Sequence, residues 1–357
     1  MTPLVPRVEL APDYALSRLL KGGWQLAGGH GAVDAGAALD DMAAFVAAGI
    51  TAFDCADIYT GVEALIGDFI RRRGGPDGMQ VHTKYVPDRS SLGSLTAADV
   101  GAAIDRSRRR LGVSAIDLVQ LHWWDYARPG FVDAARWLAD QQRAGHVRHV
   151  GLTNCNTAAV QAVVDAGVPV VSHQVQYSLL DQRPAGAMRE VTHRHGIGLI
   201  GYGALAGGFL SERYLGAPAP DRLGNRSLVK YRLIIDEFGG WDRFQQLLTA
   251  VARIAGKHDT SIGAVAIAWV LAQPQVAGVI VGATNTSHLP STVGAASLQL
   301  DADDHHALRA VLGAGPAVPG DVYDLERVAG GRHAAIMRYE LNTPALPAVS
   351  GADPAAR

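Results

Sequence analysis

Four side chains in this chain could hold and move a proton between them. Asp54 and Tyr59 lie five residues apart in FDCADIYTGVEALIG, Lys84 follows in VHTKY, and His122 in DLVQLHWW. They supply a carboxylate, a phenol, an ammonium and an imidazole. A free phenol titrates near pKa 10 and donates poorly at neutral pH. A neighbouring ammonium favours the phenolate and lowers that value. Lys84 would supply this charge to Tyr59, and Asp54 would hold Lys84 in place. Read singly, each residue has an ordinary explanation: a rim tyrosine, a solvated lysine, an aspartate capping a loop, a satisfied core histidine. Their common position, each at or just beyond an apolar run, makes them a set.

Those apolar runs must do the positioning. Strands are expected at about 20–24, 51–54, 81–84, 118–122, 150–153, 170–174, 199–202 and 278–281. They are short and rich in Val, Ile and Leu, as strands covered on both faces are. Amphipathic stretches alternate with them and end at Gly49, Gly112, Gly145 and Gly196, suited to helix C-termini. Thr96 and Asp99 form a capping-box-like pair. Strand and helix repeated in this way give right-handed parallel crossovers. An open doubly wound sheet competes, but no GxGxxG opening a helix follows the first strand. The expected fold is therefore an eight-stranded parallel (β/α)8 TIM barrel in one domain, residues 1–357, with long loops at the C-terminal face. There the strand ends converge, so the four groups can share one pocket. Residues 206–245 are too long for a simple crossover. Residues 315–342 carry aromatic and charged side chains that a free tail would not need, and are expected to fold over the barrel mouth. Residues 343–357 read as disordered.

Composition narrows the partners. The chain has 357 residues, 48% hydrophobic and 18% charged, with a formal net charge of −2. This suits a soluble protein with a large core, and no basic block points to nucleic acid. No apolar run reaches the roughly 18 residues that a membrane helix needs. The start MTPLVPRVEL lacks the pattern of a signal peptide. Two cysteines, Cys55 and Cys155, fit a reducing, cytoplasmic setting rather than a disulfide framework. The histidine pairs 193/195, 305/306 and 146/149 read as helical or helix-terminal, away from strand ends, so no metal site is expected. The oligomeric state is left open.

From about residue 15 to 312 the chain resembles the aldo-keto reductases. FDCADIYTGVEALIG is similar to that family's FDTAxxYG-x-E-x-x-G signature, and DRSRRRLGVSAIDLVQLH to its SLxRLxxDYxDLxxxH signature. VGLTNCN, HQVQYSLL and IGYGALAGG match three further segments in order. The resemblance implies a nicotinamide cofactor, NADPH with NADH possible, at the C-terminal face, and reduction of a small-molecule aldehyde or ketone. Asp54, Tyr59, Lys84 and His122 would be catalytic, with Tyr59 as acid and His122 orienting the carbonyl. Thr153, Asn154 and Gln174 would hold the carboxamide, Tyr202 would stack on the nicotinamide ring, and Leu205, Gly207 and Gly208 would wrap the pyrophosphate. Gly282, Thr284 and His288 occupy the adenosine-binding segment. The departure is there: Gly282 and Ala283 stand where a Lys-Ser pair often sits, and Ser291 and Thr292 where Glu and Asn sit. Trp24 and Trp123 would line an aromatic substrate pocket, with Trp124 and Tyr126 adding to it. Two alternatives remain: a redox-neutral isomerase or lyase on a retained cofactor, and a non-catalytic cofactor-binding regulatory subunit.

Overall fold

The computed structural model describes residues 5–29 and 31–342. Its strands are β1 (Arg7–Ala11), β2 (Tyr14–Ser17), β3 (Leu19–Gly22), β4 (Ala52–Asp54), β5 (Gln80–Tyr85), β6 (Ile116–Leu121), β7 (Val147–Thr153), β8 (Val170–Gln176), β9 (Gly198–Tyr202) and β10 (Val276–Gly282). β3 to β10 pair in parallel and close in the order β10-β3-β4-β5-β6-β7-β8-β9. This is the expected eight-stranded (β/α)8 barrel. Trp24 is a correction: it leaves the first barrel strand and lies in the short turn Trp24–Leu26.

The antiparallel hairpin β1–β2 was not apparent from the hydrophobic runs. It packs Leu10, Tyr14 and Leu16 against Leu20, Ala52 and Leu118 at the N-terminal end of the barrel. The Tyr14 hydroxyl meets Nε2 of His82 at 2.7 Å. His149 corrects another expectation, since it lies within β7, its ring 4.5 Å from that of Tyr14. With this end plugged, ligand access falls to the C-terminal end.

Helices surround the barrel, and their ends follow the local chemistry. Thr96 and Asp99 form a reciprocal capping box on helix Ala97–Leu111. The preceding helix, Val62–Arg72, approaches it closely at Gly67, where a Cβ would lie 2.2 Å from the Arg110 carbonyl oxygen.

Two excursions build up the C-terminal end. After β9 the chain forms helix Arg226–Glu237, whose Ser227 hydroxyl accepts the Trp24 indole N–H at 3.0 Å. The C-terminal segment then crosses the strand ends. Asp321 accepts from the Thr157 amide at 2.6 Å, Tyr339 sets its ring against Trp124, and Asn342 donates to the Val86 carbonyl at 2.7 Å. The two excursions also join: Arg226 donates to Ile336 O, and Arg332 pairs with Asp236. The expected disorder of 343–357 concerns positions outside the described residues.

Candidate active site

Strand register brings the candidate residues to one level. Gly22 pairs with Asp54, Lys84 with Gln120, Thr153 with Gln174, and Gln176 with Tyr202. The Asp54 carboxylate accepts from Lys84 Nζ at 2.7 Å through one oxygen. Through the other it accepts from Gln174 Nε2, also at 2.7 Å, across the barrel from the opposite strand β8. Lys84 also donates to Cys55 O at 2.8 Å. All three side chains are buried. Burial works against the Lys84 ammonium, but Asp54 and Tyr59 outweigh it and hold the lysine above its ordinary value.

Tyr59 is half-buried on the turn between β4 and helix Val62–Arg72. Its ring lies 5.2 Å from Lys84 Nζ and 5.0 Å from the Trp24 ring. The expected lowering of its pKa is not what the surroundings produce. Burial raises it, and the opposing pull of Lys84 only moderates the rise. The phenol therefore keeps its proton through neutral pH.

His122 follows β6 directly. Its Nδ1 faces the Thr153 carbonyl at 3.4 Å, and its Nε2 is buried without a protein partner. A carbonyl oxygen only accepts, so Nδ1 carries the proton and Nε2 presents a lone pair. Burial, helped by Arg327, pushes the His122 pKa down to about 3, so the ring is neutral. Trp124 and Tyr323 stand edge-on to this ring, at 4.2 and 5.5 Å between centroids.

Trp123 departs from the expected pocket role. It is fully buried, its ring packs on Phe131, and its N–H donates to Asp125 O. Successive side chains of an extended chain point to opposite sides. His122 and Trp124 thus share the mouth, while Trp123 is sent into the helix layer.

Asn154 and Tyr202 form the next wall: the Tyr202 hydroxyl donates to Asn154 Oδ1 at 2.8 Å. Thr153 is buried, with its carbonyl on His122 and its hydroxyl unpartnered. Leu205, Gly207 and Gly208 make the turn after β9. Gly207 has φ +67°, and a Cβ there would lie 2.7 Å from the Tyr231 ring. Gly282, at the end of β10, and Thr284 and His288, on the loop after it, are exposed. That loop carries no cation of its own, but Lys21 of β3 braces it from beneath, donating to Ala283 O at 2.9 Å. Burial pushes the Lys21 pKa down to about 8.

These residues fit a nicotinamide carboxamide. With Asn154 Oδ1 taken by Tyr202 and Gln174 Nε2 by Asp54, the protein leaves Asn154 Nδ2 to donate and Gln174 Oε1 to accept. A carboxamide offers one acceptor and two donors, the complement of that pair.

Sequence reasoning missed Lys230 and Arg183. Lys230 donates to the Tyr202 hydroxyl at 3.2 Å, and Arg183 is locked onto Asp181 at 2.7 and 2.9 Å. Neither belongs to a motif. The position of Trp124, two residues beyond His122, was the one available signal for its place in the wall.

The closed (β/α)8 barrel thus carries a buried carboxylate–lysine pair beside a tyrosine at its C-terminal mouth. A sequence model of the Aldo/keto reductase family matches residues 18–312. The chain belongs to that family of oxidoreductases, whose members generally carry out NAD(P)H-dependent carbonyl reduction. It is 30% identical over 308 residues to "Aldo-keto reductase str7" of Strobilurus tenacellus, covering 84% of this chain and 85% of that one. It is 32% identical over 254 residues to "Flagellar radial spoke protein 5" of Chlamydomonas reinhardtii, covering 60% of this chain and 48% of that protein. The chain thus spans about half the length of the latter. Among solved structures, the glycerol dehydrogenase AKR11B4 from Gluconobacter oxydans matches in fold with a TM-score of 0.72, at 22% identity over 88% of this chain and 98% of that one. Among the described residues no helix is long and apolar enough to cross a membrane.

Proposed function

We propose that this protein reduces an aldehyde or ketone to an alcohol, with NADPH as cofactor, NADH as the alternative nucleotide, and Tyr59 as the proton donor. The observation that carries this reading is the buried Asp54–Lys84 pair set against the Tyr59 ring. A reduced nicotinamide, when bound, supplies the hydride. Asn154 and Gln174 would hold its carboxamide, and Tyr202 would carry its ring. Tyr59 gives its proton to the carbonyl oxygen as charge develops there. Lys84 then stabilises the phenolate that remains, and Asp54 and Gln174 keep Lys84 aimed. Because its pKa is raised, Tyr59 stays protonated at neutral pH, the state a proton donor needs. His122 presents Nε2 as an acceptor, so it cannot donate to the substrate carbonyl as expected and suits instead the hydroxyl of the alcohol product.

The substrate wall is aromatic. Trp24 lies against Tyr59, and Trp124 and Tyr323 against His122. This supports a carbonyl compound with an apolar or planar body. Free, buried thiols at Cys55 and Cys155 support a cytoplasmic location.

Tyr59→Phe tests the proposal. Carbonyl turnover should fall by a factor of about 100 or more while NADPH binding stays within about threefold, since the change removes a proton and no binding contact. Near-normal turnover would remove Tyr59 from its role. The C-terminal segment roofing His122 supports a second reading, redox-neutral chemistry on a retained cofactor. Protein that is purified with its nucleotide and converts substrate without net NADPH consumption would favour it.

A further inference from the structure

A second phenol–ammonium–carboxylate set stands beside the first: Tyr202, Lys230 and Glu326. Its members come from β9, helix Arg226–Glu237 and the C-terminal segment. Lys230 Nζ lies 3.2 Å from the Tyr202 hydroxyl and 3.7 Å from Glu326 Oε1. Glu326 is buried and also pairs with Arg183 at 3.3 Å. The Lys230 ammonium is 5.0 Å from the Tyr202 ring centroid, so it grips the hydroxyl and does not cap the ring face.

The donor and acceptor inventory gives this set a direction. An ammonium has three donors and no acceptor. The Tyr202 oxygen must therefore accept from Lys230, and its own proton must go to the other neighbour, the Asn154 amide at 2.8 Å. That neighbour must present Oδ1, because an NH2 group cannot accept. Nδ2 of Asn154 is then turned outward as a donor. Without Lys230, the Tyr202 oxygen could accept from Asn154 Nδ2 instead, and the amide could flip. It would then present an oxygen toward the carbonyl of an incoming carboxamide, acceptor against acceptor. Asn154 has φ +58°, in the left-handed region that asparagine tolerates better than most residues.

We infer that Lys230 and Glu326 are positioning residues, setting the amide orientation of Asn154 through Tyr202 and so preparing the site for the nicotinamide carboxamide. This rests on the cofactor reading above. Glu326 makes the docked C-terminal segment part of the cofactor site, without touching the cofactor.

The test compares two nucleotides in equilibrium titrations of the full chain: NADPH, and adenosine 2′,5′-bisphosphate, which lacks nicotinamide. Lys230→Met should weaken NADPH binding by roughly tenfold or more, the range of a charge-assisted hydrogen bond, and leave the bisphosphate unchanged. Lys230→Arg, which also only donates, should restore most of the affinity. Glu326→Gln should weaken NADPH in the same selective way, and its effect should not add to that of Lys230→Met. Unchanged NADPH affinity in Lys230→Met overturns the inference. Equal weakening of both nucleotides also overturns it, since that marks general disturbance. If Lys230→Met does not fold, Tyr202→Phe carries the test: it removes the hydroxyl that relays the direction, and equal affinity for both nucleotides relative to wild type would refute the relay. Wild-type protein that binds neither NADPH nor NADH would overturn the cofactor reading itself, a separate and recognisable failure.

Discussion

Replacing Asp54 by Asn is the sharpest perturbation of this site. The shape is nearly kept, but the negative charge is lost and one acceptor oxygen becomes a donor. Asp54 accepts at 2.7 Å from Lys84 and at 2.7 Å from Gln174, so the single oxygen left on Asn can serve only one of them, and Lys84 loses its carboxylate while keeping the Cys55 carbonyl at 2.8 Å. Breaking a buried ion pair by removing one partner costs about 3–5 kcal/mol, because the other charge is left buried. Lys84 can escape part of that cost by losing its proton, so its pKa moves down. Urea unfolding at neutral pH should therefore show Asp54→Asn less stable by about 3 kcal/mol or more. Turnover carries a second signature. Loss of the Lys84 proton removes the charge that receives the Tyr59 phenolate, so the rate should fall as pH rises. The variant should lose activity at a lower pH than wild type in a profile from about pH 6 to pH 10. A variant with wild-type turnover and an unshifted alkaline limb would refute the claim that Asp54 holds Lys84 charged for Tyr59.

Other outcomes follow from the same geometry. Trp123→Ala should cost about 3–5 kcal/mol in urea unfolding with little specific effect on substrate KM, as for a fully buried core aromatic; Trp124→Ala should instead raise KM, and the reverse pattern would restore Trp123 to the pocket. Acid should destabilise the protein through His82, whose pKa is pushed down to about 3 by burial. Below about pH 6.5 the unfolded state takes up the proton that the folded ring refuses, so stability falls as pH falls from about 6.5 toward about 3, by about 1.4 kcal/mol per unit. Between pH 7 and pH 5, His82→Gln should lose about 2 kcal/mol less than wild type, and identical losses would refute this.

Much of the site was legible because strand ends are legible. The strand-like runs before Lys84, His122 and Tyr202 are short, and a parallel barrel sends every such end to one face, so chain order alone predicts the meeting. The capping box at Thr96 was readable for a similar reason, since its partners lie within one helical turn. Beyond the strand ends, local pattern stops deciding direction. Which of Trp123 and Trp124 faces the mouth depended on the pleat carrying on past Leu121. The sign of the Tyr59 shift also needed the fold, because burial and a neighbouring ammonium push in opposite directions, and only the packing shows which prevails. The Glu326–Lys230–Tyr202–Asn154 chain joins residues as far as 172 positions apart in sequence, and no periodicity or motif links them. By itself the sequence determined the barrel, its family and the chemical types at the strand ends. The tertiary structure alone decided which groups are desolvated and which donor meets which acceptor, because those depend on contacts between distant segments.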